Sequence, residues 1–261
     1  MTQIRFRVRD GNLWVFAVQT PSMEYLIRYP FRPLPVVILS VLLSCFCWSG
    51  AGAGVQQRSV EDVVERYRVK VALRLYPRFR FADVAWPPQE AALVAFKDTR
   101  RLELWVRDEG EWVYIKEYRI KGISGRPGPK LQEGDRQVPE GGYRIELLNP
   151  NSAFHLSLKL NYPNAFDRER AQLDGRSNLG GDIFIHGDRV SSGCLAMGDN
   201  AVEELFVLTA MMGVEKVSVL ISPRDFRFRP ALPPPPGTPA WVPGLHRRIA
   251  DNLRQFPLEL K

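Results

Sequence analysis

The first regular pattern of apolar positions in the sequence is helical. Apolar side chains recur every three or four residues from the segment Ser59–Asp62, which has the composition of a capping box at a helix N-terminus. These apolar positions are Val60, Val63, Val64, Tyr67, Val71 and Leu75. The pattern predicts a helix that ends at about Tyr76–Pro77, because proline disrupts the interior of a helix.

The next apolar segments have the composition of strands. They are Ala92–Phe96, Leu102–Val106 and Trp112–Ile120. The short polar links at 97–100 and 108–110 are typical of hairpin turns, so an antiparallel meander is predicted. The residues from Lys121 to Gly142 are rich in glycine and proline and predict a long loop, either close to the substrate or simply a flexible excursion.

Strand patterns also dominate the second half of the chain. The predicted strands are Tyr143–Leu148, Phe154–Leu160, Asp182–His186 and Lys216–Ile221. A short polar helix is predicted at Asp167–Leu173, and Asp199 can cap another helix that stops at Gly213. Because strands outnumber helices, we expect a mainly β fold, with a β-sandwich or β-barrel-like core and a few peripheral helices.

The N-terminal 53 residues have the pattern of an extension followed by a signal peptide. Arg28 and Arg32 precede the apolar run Pro35–Leu43, and the small residues Ser49–Ala53 follow it. The run is well short of the roughly 20 residues that a membrane-spanning helix needs. Export is therefore expected, and a permanent anchor is the alternative.

Processing of this segment has several possible forms. Cleavage after Ala53 fits the small-residue pattern of a signal peptidase site, whereas lipidation at Cys45 would leave a lipid anchor. Translation can also begin at Met23 instead of Met1. The rest of the chain divides into a helical lead-in at 54–90, a principal domain at 91–223 and a Pro-rich tail at 224–261 with a terminal helix from Pro243 to Phe256.

Composition and charge narrow the choice of partners. A chain of 261 residues with 45% hydrophobic and 25% charged content can bury one good-sized core. The first 53 residues hold five arginines and two acidic residues, so the remaining chain carries +4 of the formal net charge of +7. The cations are spread out and no zinc-finger or recognition-helix pattern is present, which argues against a nucleic-acid partner. An anionic polymer or the outer face of a membrane fits better.

The sequence contains three cysteines, Cys45, Cys47 and Cys194. Cleavage after Ala53 would leave Cys194 alone, and a solitary cysteine cannot form an internal disulfide bond. The number of cysteines alone does not decide whether Cys194 is a small buried apolar residue or a reactive group.

The residues around Cys194 favour a reactive thiol. A thiol with a pKa of about 8.5 is mostly protonated at pH 7, so a nucleophilic cysteine needs a base or a cation nearby. His186 stands at the end of a predicted strand, where Gly187 permits a sharp turn, and it is the candidate base. Arg189 or the N-terminus of the next helix could add positive charge, and the amides of Gly193 and Cys194 could face a developing oxyanion.

Each histidine also has a purely structural interpretation. His155 and His246 are expected to be satisfied by neighbouring protein groups, and only His186 stands among glycines, serines and a cysteine. A zinc site is disfavoured because one histidine and one cysteine lack the remaining ligands and their usual spacing.

This segment resembles the L,D-transpeptidase (YkuD-like) catalytic domain family, whose motif runs His-Gly, a variable gap, and Ser/Thr-His-Gly-Cys. Here it reads His186-Gly187, a short gap, and Ser191-Ser192-Gly193-Cys194. The chain is most similar to the YafK-like branch, through the short gap and through the blocks Leu195–Met197, Gly128–Asp135, Pro139–Gly141 and Leu158–Asn164. The resemblance covers roughly Leu93 to Ile221, and these blocks in order are more specific than the cysteine motif alone.

The resemblance implies a catalytic domain at 91–223 that acts on peptidoglycan stem peptides in the periplasm or cell envelope, in cell wall biogenesis and cell shape, without a metal or an organic cofactor. It implies that Cys194 is the nucleophile and His186 the proton-transferring base. The cysteine would be acylated by the L-centre carbonyl of meso-diaminopimelate with release of D-alanine, and an amine would then accept the acyl group. The acceptor would form a cross-link or belong to an envelope lipoprotein.

We assign oxyanion or substrate contacts to Gly187, Arg189, Ser191, Ser192 and Gly193. Most family members have a second histidine in place of Ser192, and many have arginine or asparagine in place of Ala196. The identity of the substrate and of the acceptor is therefore left open. Three hypotheses for the function remain: a transpeptidase, a hydrolase that uses the same cysteine, and a non-catalytic envelope binding protein with an inert thiol. A papain-like peptidase is disfavoured because its cysteine precedes its histidine. Membrane contact is expected only through the N-terminal signal or a lipid anchor.

Overall fold

The computed structural model describes residues 4–8, 14–20, 23–27, 57–231, 233 and 236–257. The chain forms two compact units that divide after Gln56. In the first unit, β1 (Ile4–Val8), β2 (Trp14–Thr20) and β3 (Met23–Ile27) form an antiparallel sheet. The predicted signal run Pro35–Leu43, its cleavage site and Cys45 lie outside the described residues. None of the described helices combines the length and apolar composition that crossing a membrane requires.

The second unit begins with helix α1, Val60–Phe81. Its predicted capping box is present: Asp62 N donates to Ser59 Oγ at 3.1 Å, and Ser59 N donates to Asp62 Oδ2 at 2.8 Å. The predicted end at Tyr76–Pro77 is wrong, because the helix continues for a turn with Pro77 inside it. Phe79 extends the buried stripe of α1 and packs edge-on against Trp86 at 4.8 Å between ring centroids. Burial of a phenylalanine stabilises by about 1.5–3 kcal/mol, which offsets much of the proline's cost of about 3 kcal/mol.

Nine strands of this unit form one curled sheet. They are β4 (Glu90–Phe96), β5 (Arg101–Arg107), β6 (Val113–Arg119), β7 (Gly122–Ile123), β8 (Gly141–Asn149), β9 (Ser157–Leu160), β10 (Phe184–His186), β11 (Leu195–Ala196) and β12 (Val217–Ser222). Their spatial order is β6-β5-β4-β12-β8-β9-β10-β11-β7. The predicted β4–β6 meander is confirmed, and the pairs β4/β12 and β10/β11 are parallel. The mainly β fold with peripheral helices is likewise confirmed.

Helices cover both faces of the central strands. Besides α1, the second unit has the helices α2 (Ala165–Leu173), α3 (Asp199–Met212) and α4 (Val242–Leu253). Strand β4 places Leu93 in a core shared with α1 and α3, and its neighbour Val94 in a second core shared with α4. This two-sided burial explains why β4 is continuously apolar instead of alternating. The helix predicted in the tail therefore packs on the sheet.

The start of α3 differs from the prediction. Its N-cap is Gly198, with φ +78°, and no side chain caps the helix there. The carboxylate of Asp199 instead accepts the amide of Asp188 at 2.9 Å. Asp199 thus fixes the turn that leaves β10. The predicted end of the helix at Gly213 is confirmed.

Candidate active site

Cys194 and His186 stand on neighbouring parallel strands. His186 pairs with Ala196 and Ile185 with Leu195, so Cys194 lies opposite Phe184, whose amide donates to its Sγ at 3.4 Å. Because residues two apart on a strand point to the same face, the two candidate catalytic side chains share one face of the sheet. Within the described residues no hydrogen bond joins the imidazole to the thiol, and catalytic pairs often tighten only when substrate binds.

The imidazole of His186 is set up to accept a proton. The side chain is buried, and its Nδ1 lies 2.6 Å from the carbonyl oxygen of Gly187. A carbonyl can only accept, so Nδ1 carries the hydrogen and Nε2 has the free lone pair. Burial lowers the pKa of His186, against the opposing effects of the Gly187 carbonyl and Asp188. The histidine is therefore neutral and basic at neutral pH. The ring of Phe154 covers it at 4.7 Å between centroids.

The thiol of Cys194 is protonated at rest. Burial raises its pKa and Asp182 adds to that effect, while the amide of Phe184 and the charge of Lys130 oppose it. Lys130 is thus a cation that lowers the pKa of the thiol, and the role expected of Arg189 stays a prediction. Lys130 is buried, and its Nζ lies 2.6 Å from Asp135 Oδ1. Arg189 is exposed and lines a separate cavity with Asp188.

The amides proposed for an oxyanion hole already have partners. Gly193 N donates to Ser124 Oγ at 2.6 Å, and Cys194 N donates to Ser191 Oγ at 3.1 Å. Ser191 Oγ in turn donates to the carbonyl of Cys194 at 2.6 Å. An oxyanion could bind these amides only if their hydrogen bonds to the two serine hydroxyls broke, so the oxyanion role stays a prediction. Gly193 has φ +98°, a conformation that favours glycine.

Gly187 differs from the role expected of it, and Ser192 lies at the surface. Gly187 does not supply the sharp turn, since the left-handed residue is Asp188, with φ +57°. A Cβ at Gly187 would instead lie 2.6 Å from the carbonyl oxygen of Phe154, so glycine is needed for close packing behind His186. Ser192 is exposed, and its predicted contact with substrate stays a prediction.

The long loop between β7 and β8 lies against the cysteine loop. The carboxylate of Asp135 accepts Lys130 Nζ and the amides of Leu131 and Gln137, which fixes the loop's tip. The loop also carries Ser124, which sequence analysis missed because a serine in a glycine-rich stretch has no distinctive spacing. Of the two alternatives for this loop, the structure supports the one close to the candidate site.

A buried ion pair holds the base of this loop. Lys97 Nζ donates to the carbonyl oxygens of Gly128 and Val138, each at 2.8 Å, and to Glu140 Oε1 at 3.0 Å. Glu140 also accepts the amide of Gly128 at 2.5 Å and contacts His246 Nε2 at 3.0 Å. Although burial alone would raise it, these partners, with Lys97 foremost, lower the pKa of Glu140.

The other two histidines have structural partners. His246 contacts Glu140, and His155 Nε2 lies 3.3 Å from Glu203 Oε1. Among the described residues no group of three or more potential ligands could hold a metal ion.

Comparison with known proteins agrees with the motif. The model of the family described as "YkuD: L,D-transpeptidase catalytic domain" matches residues 90–242. The chain is 34% identical over 169 residues to "Putative L,D-transpeptidase YafK" of Escherichia coli K12, and equally to that of strain O157:H7. This alignment covers 64% of the chain and 61% of the relative.

Solved structures give partial overlaps. The helical cell shape determining protein Pgp2 of Campylobacter jejuni has 25% identity and a TM-score of 0.43, over 53% of this chain and 48% of that one. Bd1075 of Bdellovibrio bacteriovorus has 19% identity and a TM-score of 0.40, over 66% and 57% of the two chains. The family match spans more than half of the sequence and includes both His186 and Cys194. The chain belongs to the L,D-transpeptidase catalytic domain (YkuD) family.

Proposed function

We propose that this protein is a peptidoglycan L,D-transpeptidase of the cell envelope that works through an acyl-enzyme on Cys194. The observation that carries the proposal is the placement of Cys194 and His186 on one face of adjacent strands, with the Nε2 lone pair of the histidine available. Family membership supports the reaction class. The N-terminal sequence pattern supports export to the periplasm.

The first half-reaction forms a thioester. His186 Nε2 removes the proton of the Cys194 thiol as sulfur attacks the L-centre carbonyl of diaminopimelate in a stem peptide. The tetrahedral intermediate collapses with cleavage of the C–N bond to D-alanine, and the imidazolium returns its proton to the departing amine. Because thiol and imidazole are both neutral at rest, the proton moves during attack and not before substrate binds.

The second half-reaction determines the product. An amine from a second stem peptide attacks the thioester and His186 takes its proton. The C–S bond then breaks, and the imidazolium returns the proton to the departing sulfur, which regenerates the neutral thiol and imidazole. The new amide is a cross-link, and a lysine of an envelope lipoprotein would be attached in the same way. Water at this step would give hydrolysis instead. We propose transfer because the matched family is defined by the transpeptidase domain.

Mass spectrometry tests the acyl-enzyme directly. Wild-type protein incubated with a carbapenem or a tetrapeptide muropeptide should gain one covalent adduct, and Cys194→Ala should gain none. His186→Gln, which keeps a neutral polar side chain, should slow adduct formation by about 10²–10⁴-fold, since a general base contributes that much. A wild-type protein that gains no adduct and converts no muropeptide would refute the enzyme proposal and leave the non-catalytic alternative.

Product analysis then separates transfer from hydrolysis. The same muropeptide is supplied with and without an amine acceptor. A new amide that appears only with the acceptor supports the transpeptidase. Tripeptide alone under both conditions would show that the protein is a hydrolase that uses the same cysteine.

A further inference from the structure

The open face of the sheet continues from Cys194 across three strands. Cys194 lies beside Phe184 on β10, Phe184 pairs with Lys159 on β9, and Lys159 pairs with Leu147 on β8. Directly paired residues point to the same side, so all four side chains share the face that carries the thiol. With neighbouring strands about 4.8 Å apart, this face extends about 14 Å from Cys194 to β8.

A cleft of about 700 Å³ lies at the far end of this face, between β8, β9 and the start of α2. Three cationic residues line it, Arg144, Lys159 and Arg168, against one carboxylate, Glu146. Glu146 lies 3.9 Å from Lys159 Nζ. Arg144 and Arg168 are exposed and form no ion pair within the described part of the chain. The cleft thus has an uncompensated positive charge.

Lys159 connects the cleft to the thiol. Its Nζ lies 3.1 Å from the carboxylate of Asp182, and the carbonyl oxygen of Asp182 lies 3.8 Å from Cys194 Sγ. A ligand held by the arginines and Lys159 can therefore extend along the sheet face to the nucleophile. Four extended residues span about 13–14 Å, which matches the distance from β8 to Cys194.

We propose that the cleft formed by Arg144, Lys159 and Arg168 is a binding subsite for carboxylate groups of the acyl-donor stem peptide. This inference rests on the proposed function, because it names the chemistry of the donor at the same site. Arginine recognises carboxylates through paired N–H donors, so the groups that fit the cleft are free carboxylates of the peptide that lie away from the scissile amide. The subsite orients the peptide so that its reactive carbonyl reaches Cys194.

The binding test does not require catalysis. Calorimetry on Cys194→Ala protein compares a tetrapeptide donor that has free carboxylates with the same peptide after amidation of those carboxylates. The cleft is altered by Arg144→Ala with Arg168→Ala, and separately by Glu146→Gln. Arg68→Ala is the matched control, because Arg68 is an exposed arginine on α1 whose partner Glu65 is also exposed.

The proposal predicts opposite effects from the two cleft variants. The double arginine variant should bind the free tetrapeptide about tenfold more weakly, and Glu146→Gln about two- to threefold more tightly, as expected for partly exposed charge contacts. Binding of the amidated peptide should be equally weak in all the proteins, and Arg68→Ala should match the parent.

Two results would overturn the subsite. One is equal affinity of the parent and the double arginine variant, including the case in which neither binds the tetrapeptide. The other is equal binding of the free and amidated peptides by the parent. The mass-spectrometric adduct on Cys194 is measured separately, so its presence without a cleft effect refutes only the subsite. A cleft effect without any adduct refutes only the proposed reaction.

Discussion

Replacement of Lys97 by methionine should strongly destabilise the protein. Lys97 and Glu140 are both buried, with side-chain exposures of 3% and 0%. Methionine matches the length of the lysine stem but cannot donate to Glu140 or to the carbonyl oxygens of Gly128 and Val138. The carboxylate of Glu140 would then remain buried without its main counter-charge.

The magnitude follows from the buried charge. Removal of one partner of a buried ion pair costs about 3–5 kcal/mol, because the other charge stays desolvated. The free energy of unfolding of a domain of this size is about 5–15 kcal/mol, so the variant should lose a fifth or more of it. At about 2–4 °C per kcal/mol, the melting temperature should fall by about 6–20 °C.

Urea and thermal unfolding provide the assay. The double variant Lys97→Met with Glu140→Gln should regain most of the lost free energy of unfolding. A neutral amide at position 140 can still accept the amide of Gly128 and contact His246. Lys216→Met serves as the control, since Lys216 is exposed. A loss below about 1 kcal/mol for the single variant, or an additive loss in the double variant, would refute the role of Lys97 as the counter-charge that makes Glu140 tolerable.

Three other measurements test the site and its surroundings. Because burial lowers the pKa of His186, carbapenem acylation should keep its full rate down to pH values below 6.5 and fall only as the imidazole protonates; an acid limb above pH 7 would contradict this. Ser124→Ala frees the amide of Gly193 and should leave acylation unchanged or faster by stopped-flow, whereas a hundredfold loss would mean that the hydroxyl itself takes part. Burial raises the pKa of Asp167 to about 6, so the stability that protonation provides is complete below pH 3.8 and is lost as pH rises through 6. That loss is about 2–3 kcal/mol in unfolding experiments, and Asp167→Asn should abolish it; the same pH dependence in the variant would assign it to another group.

The sequence predicted the elements whose signal is local. Hairpin turns, alternating strands and the glycine that ends α3 depend on neighbouring residues, and each was found within a few residues of its predicted place. The end of α1 was wrong because it depends on Phe79 packing against Trp86, a contact that helix propensity does not include. The burial of both faces of β4 was also missed, since one face needs the tail helix about 150 residues later.

Within the site, Cys194 and His186 were identified from their spacing, and the strands bring them to one face. The residues that modify them come from elsewhere in the chain. Lys130 and Ser124 stand in a loop about 60–70 residues before the cysteine, so no local pattern connects them to it. Arg189 is close in sequence but points into another cavity. Proximity along the chain predicted the candidate pair, and only tertiary packing determined its electrostatics.

The protonated resting state of Cys194 also affects its chemical durability. Peroxides and other oxidants attack the thiolate, so a thiol whose pKa is raised by burial is oxidised slowly. No second cysteine lies within the described residues to rescue a sulfenic acid as a disulfide. A thiol that burial keeps protonated therefore resists oxidation without needing a partner cysteine.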